Sequence, residues 1–123
     1  MTYTPGTEVE SESFLHTNHW ESGEVEIKAS GAEGQENLGS KVPTGKTRRI
    51  RELTIRHTGT NNTVVTLLVS GGATKLSIDV PAQTTRVWSS QDGRSFDAGE
   101  QPVVQSSDTT GGSTFVSAAG VEV

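Results

Sequence analysis

From Gly45 onward the chain alternates apolar and polar residues in short runs, and the period is two rather than 3.6. Leu53 and Ile55 alternate with Glu52, Thr54 and Arg56, the mark of a strand with one buried face. Ile50 falls out of phase with them, which predicts a bulge in the basic stretch just upstream. After a turn at Thr58-Gly59-Thr60-Asn61-Asn62, the run Thr63 to Val69 is apolar at both parities and predicts a central strand covered on both sides. Ser70-Gly71-Gly72 ends that run. Leu76, Ile78 and Val80 then alternate with polar residues until Pro81, which has no N–H to give a ladder. A strand is expected from about Gln83 to Ser89, a hairpin turn at Asp92-Gly93, a short strand from Ser95 to Ala98, and another at Val103-Val104. Thr109 to Ser113 is a turn, and in the final segment Phe115, Ala119, Val121 and Val123 share one face. Upstream, Val25 and Ile27 alternate with charged residues between Glu24 and Ala29. The total is about eight strands at sandwich-like spacing, with no segment patterned as a helix.

Before that strand the pattern dissolves. Across residues 1–23, Tyr3, Val9, Phe14, Leu15 and Trp20 are scattered at neither period, so this segment reads as an extended arm preceding a domain at 24–123. Ser30 to Pro43, with three glycines and a proline, reads as a long loop. A chain of 123 residues fits one domain. Only 30% of it is hydrophobic, so the core must be thin, which suits two packed layers of sheet better than a helical bundle. The expected fold is therefore all-β, an antiparallel β-sandwich of jelly-roll or immunoglobulin-like type with an N-terminal arm.

Charge adds a second kind of organisation. The net charge is −5, but residues 1–40 carry Glu8, Glu10, Glu12, Glu21, Glu24, Glu26, Glu33 and Glu36 against Lys28 alone. Residues 41–56 reverse this, with Lys41, Lys46, Arg48, Arg49, Arg51 and Arg56 against Glu52. Such segregation implies pairing within the fold or between neighbouring copies in an assembly. The absence of cysteine excludes disulfides, thiolate metal sites and a cysteine nucleophile. No run approaches the roughly 18 apolar residues of a membrane span, and Met1 is not followed by a leader pattern.

Candidate chemistry is sparse. Gly45-Lys46-Thr47 resembles the end of a phosphate loop, yet Ser40 stands where that loop needs glycine, and a strand pattern follows where it needs a helix. His16, His19 and His57 could in principle supply three imidazoles to zinc, but nothing in their spacing places them together. No Gly-x-Ser-x-Gly is present, and no pair of carboxylates is patterned to converge across a cleft. The basic stripe invites a nucleic-acid reading, against which stand the acidic total and the lack of interleaved aromatic residues. Asn61-Asn62-Thr63 is a glycosylation sequon placed at a turn. No catalytic, cofactor or metal site is assigned, and no enzymatic activity is expected.

The stretch from Leu53 through the Asn61-Asn62-Thr63 turn to Gly72, then Lys75 to Trp88 with its Val80-Pro81-Ala82, and the closing Ala118 to Val123 form a rhythm of strand, Asn/Thr turn, strand, Gly-Gly, strand, Val-Pro-Ala, strand. In a Thr/Ser/Gly-rich chain this resembles small all-β virion proteins of tailed phages and related archaeal viruses, over about two-thirds of the chain. The resemblance implies a sandwich repeated around a capsid or tail, with arms and loops touching adjacent subunits and no catalytic residues. The expectation is thus a structural virion protein of capsid-decoration or head–tail accessory type, partnered by other virion subunits or by copies of itself. Partner-binding residues would be Phe14, Leu15 and Trp20 as apolar anchors, and Lys46, Arg48, Arg49 and Arg51 as cations facing an acidic surface. The alternative is a carbohydrate- or cell-surface-binding module, which would need an exposed aromatic platform from Trp20 or Trp88.

Overall fold

A computed structural model describes residues 18–29, 33–110 and 112–123. Eight strands follow in chain order: β1 His19–Lys28, β2 Gly34–Asn37, β3 Arg48–His57, β4 Thr63–Val69, β5 Thr74–Val80, β6 Thr85–Phe96, β7 Pro102–Ser106 and β8 Ser113–Glu122. They form two four-stranded sheets, sheet A in the order β1-β8-β3-β6 and sheet B in the order β2-β7-β4-β5, with every pairing antiparallel. Apart from the β4–β5 hairpin, successive strands cross between the sheets, the connectivity of an eight-stranded jelly roll, so the expected all-β sandwich holds and its jelly-roll form is selected.

The core lies between the sheets because each strand turns alternate residues inward. Ile27, Ile50, Leu53, Ile55 and Val116 of sheet A meet Val65, Leu67, Ile78, Val80 and Val104 of sheet B, and Leu38 and Val42 close the layer from the β2–β3 connection. The predicted bulge is present. Ile50 pairs with Gly120 and Glu52 with Ala119, leaving Arg51 as the extra residue on β3. That single insertion resets the phase, so that Arg48 and Ile50 before it and Leu53, Ile55 and His57 after it all point inward.

Several expectations are corrected. Strand β1 begins at His19, not at Glu24, so residues 19–23 belong to the sandwich. Their apolar pattern is hidden because β1 carries its own bulge at Ser22-Gly23, between pairs Glu21–Ala119 and Glu24–Ser117. There Gly23 has φ 73°, and the Ala118 N–H that lacks a strand partner donates to Ser22 Oγ at 2.9 Å. The supposed loop from Ser30 to Pro43 contains β2, a polar edge strand held by its backbone pairing to β7 rather than by apolar periodicity. Asp92-Gly93 makes no hairpin. β6 runs through it and pairs with β3 on both sides, Ile50 with Arg94 and Glu52 with Ser89, so residues 90–93 bulge out opposite Arg51. Strand β4 is buried at Thr63, Val65 and Leu67 but only half-covered at Val64 and Leu68, because its second face looks outward. Phe115, Ala119 and Val121 do share a face, and it is the outer one; Thr114, Val116, Ala118 and Gly120 face the core.

Candidate functional site: the outer face of sheet A

Register fixes which side chains share the outer face of sheet A, since paired residues point to the same side. Four rows cross it from β1 through β8 and β3 to β6. They read His19–Val121–Arg49–Ser95, Glu21–Ala119–Glu52–Ser89, Glu24–Ser117–Thr54–Val87 and Glu26–Phe115–Arg56–Thr85. Glu21, Glu24 and Glu26 therefore stand in one column on edge strand β1, Ala119 and Ser117 lie between Val121 and Phe115 on β8, and on β3 Arg49 and Arg56 flank Glu52 and Thr54. With strands about 4.8 Å apart, the β1 and β3 columns are separated by roughly 10 Å.

The acidic and basic segments do not neutralise each other. Among the described residues the ion pairs are His19–Glu21, Arg48–Glu122 and His57–Asp108, none of which joins a β1 glutamate to the 41–56 bases. Glu21, Glu24 and Glu52 instead rim a cleft of about 210 Å³ floored by Ser117, Ala118 and Ala119. The bulges in β1 and β3 flank β8 at this level, and together they splay the carboxylates around a small-residue floor. Beside the cleft, the Arg49 and Arg51 stems lie on either side of Gly93, where an added Cβ would come within 3.0 and 3.1 Å of their Cγ atoms. Arg49 Nη1 donates to the Asp92 carbonyl at 2.6 Å.

The expected partner-binding residues are thus sorted. Arg49 is half-buried and Arg51 and Lys46 are exposed. Arg48 is a correction: at 0% exposure it is no surface cation but a core residue. Its Nε and Nη2 reach Glu122 at 2.8 and 2.7 Å, Nη1 donates to the Ser40 carbonyl, and the guanidinium lies 4.3 Å from the Trp20 ring centre. Phase explains it, because two residues upstream of Ile50 a side chain must point inward. Trp20 packs against the domain's own core, so it anchors β1 rather than standing free for a partner. Phe14 and Leu15 lie outside the described residues.

Every described aromatic ring carries a cation. Arg48 covers Trp20, Arg56 covers Phe115 at 4.0 Å, Arg94 covers Trp88 at 5.1 Å, and Lys75 approaches Phe96 at 5.5 Å. Sequence reading missed these pairs because three of them join different strands and the fourth, Arg94 with Trp88, spans the excursion at residues 90–93 within β6.

A second polar cluster lies inside one end of the sandwich. His57 Nε2 donates to the Asn61 carbonyl at 2.7 Å, and Nδ1 meets Thr114 Oγ1 at 2.9 Å. Thr114 Oγ1 continues to Ser106 Oγ at 3.2 Å, and Ser106 to Thr63 Oγ1 at 2.6 Å. The Asp108 N–H donates to Thr63 Oγ1, while Asp108 Oδ2 lies 3.5 Å from His57 Nε2 without a hydrogen bond. The serine hydroxyl meets threonines, not the imidazole, so the His, Asp and Ser here tie the β3–β4 and β7–β8 connections and do not form a nucleophile relay. His19 and His57 occupy opposite ends of sheet A, and His16 is outside the described residues. Among the described residues no three His, Cys, Asp or Glu side chains converge as for a metal. Gly45-Lys46-Thr47 leads into β3, a strand. Within the sequon, Asn61 Nδ2 donates to Thr110 and Thr63 is buried.

No protein-family model matches this sequence, and no curated protein does. Solved structures do overlay. The acid-stable capsid structure of Helicobacter pylori bacteriophage KHP30 is similar at 16% identity and a TM-score of 0.52, over 86% of this chain and 93% of that one. The crystal structure of PirA is similar at 14% identity and a TM-score of 0.51, over 80% and 92%. A carbohydrate-binding module, CBM36 in complex with calcium and xylotriose, aligns at 16% identity and a TM-score of 0.45, over 78% and 77%. At these identities the likeness to the capsid and PirA structures is one of fold alone.

Proposed function

We propose that this chain is a structural subunit of a virion, of capsid-decoration or head–tail accessory type, working through protein–protein contacts. The observation that carries the reading is the outer face of sheet A, where, among the described residues, no β1 glutamate forms an ion pair with a β3 arginine. Exposed charge that a fold keeps segregated steers and registers a complementary surface more than it stabilises the monomer. The likeness in fold to a phage capsid structure supports the same reading. The 17 residues that precede Asn18, with Phe14 and Leu15, would supply an apolar arm to a neighbouring subunit.

The glycan-binding alternative calls for a bare aromatic face on which a sugar ring can stack. The indoles of Trp20 and Trp88 are instead covered by arginines of the same chain. Light scattering on the chromatographed chain, paired with oligosaccharide titrations followed by tryptophan emission, separates the two. The structural reading expects assemblies larger than a monomer and unchanged emission. A monomer at every concentration whose emission is saturably quenched by a glycan would overturn it.

A further inference from the structure

We propose that the outer face of sheet A is self-complementary and docks a second copy of this chain, the Arg49 and Arg51 side chains of each copy entering the Glu21, Glu24 and Glu52 cleft of the other. The inference rests on the protein-contact reading above and names its partner. Both halves of the contact sit on one face of one chain. The cleft is centred over β8, and the arginines project beside it where β3 and β6 bulge together. The cleft floor is Ser117, Ala118 and Ala119, small enough to admit a planar guanidinium between carboxylates, and its volume of about 210 Å³ suits the end of an arginine. Among the described residues neither Arg49, Arg51, Glu24 nor Glu52 makes an ion pair. The arginine stems are already positioned by Gly93 and by the Asp92 carbonyl, so docking orders less side chain than free arginines would require.

Because the two features lie side by side, a single two-fold axis between them forms both contacts at once, a closed isologous dimer. That axis also carries Val87, 61% exposed on the β6 side of the same face, over the partner's β1–β8 side. An unrelated basic partner could fill the cleft but would leave the arginine knob unused, whereas a second copy uses both.

Charge exchange tests this. The full chain, Arg49→Glu/Arg51→Glu, Glu21→Lys/Glu24→Lys, and an equimolar mixture of the two variants are compared by sedimentation velocity and native mass spectrometry at low salt. Each variant alone is expected to lose at least about tenfold in self-association, and the mixture to recover it as a heterodimer, since opposite charges then face each other at both contacts, one with both charges reversed and one with both native. Should the double arginine variant melt early, Arg51→Glu alone, at an exposed position, replaces it. A wild-type monomer under these conditions overturns the proposal. Wild-type association that neither variant weakens, or a mixture that fails to recover, overturns the self-docking face while leaving the protein-contact reading standing.

Discussion

The guanidinium of Arg48 lies 4.3 Å from the ring centre of Trp20, buried between that indole and the Glu122 carboxylate. The stack joins β1, β3 and β8 at one end of sheet A, and it withdraws a residue of the basic stripe from the surface. Removing one partner of a buried charge pair costs more than the pair is worth, because the other is left uncompensated. Arg48→Ala is expected to lower stability by about 3 kcal/mol in urea titrations. Arg48→Lys, which keeps charge but loses the fork, should recover only part of it. An Arg48→Ala chain as stable as wild type would show the stack to be incidental.

Stability measurements separate residues 1–17 from residues 19–23. Because β1 starts at His19 and Trp20 packs on the core, deleting residues 1–17 should leave the thermal midpoint unchanged. Deleting residues 1–23 removes a half-buried indole packed on the core and half an edge strand, and should cost about 3–5 kcal/mol or prevent folding. Equal midpoints for the two truncations would return residues 19–23 to the arm.

Edge strands invite unwanted pairing, and β5 is one. Arg94 Nε donates to the Lys75 carbonyl at 2.9 Å and Arg86 Nη1 to the Asp79 carbonyl at 3.2 Å, so side chains from β6 occupy β5 acceptors that have no strand partner. Arg86→Ala/Arg94→Ala should aggregate faster on mild heating, with thioflavin-positive material, at little cost to the reversible midpoint. Unchanged aggregation kinetics would mean that the edge is protected in some other way.

The buried hydroxyl chain from His57 through Thr114 and Ser106 to Thr63 makes a different demand. Thr114→Val keeps shape but strands His57 Nδ1 and leaves Ser106 with Thr63 alone, and a buried polar group left unpaired costs about 1–3 kcal/mol. Combining it with Ser106→Ala should cost less than the sum of the single changes, because both remove the same Thr114–Ser106 bond. Strict additivity would show that the hydroxyls do not act as a chain.

What the sequence revealed follows from period. Strands with one buried face, such as β5, announce themselves by alternation, and the misfit of Ile50 located the β3 bulge because one inserted residue shifts every later side chain to the other face. The same rule hid the start of β1, where the Ser22-Gly23 bulge breaks the alternation between Trp20 and Val25. β2 carries no apolar signal, and β6 disguised its bulge as a hairpin because Asp-Gly serves either geometry. For the candidate site, charge segregation was visible in composition, but which arginine faces out was not. That depended on counting phase through the bulge, which buries Arg48 and exposes Arg51.

The central claim is that unpaired surface charge drives association of this chain, and its salt dependence is the direct test. Self-association of the full chain, measured by sedimentation equilibrium from about 20 mM to 1 M sodium chloride, should weaken steadily as the screening length falls from about 20 Å to about 3 Å. Association that is flat or strengthens with salt would assign the contact to apolar surface and contradict the account.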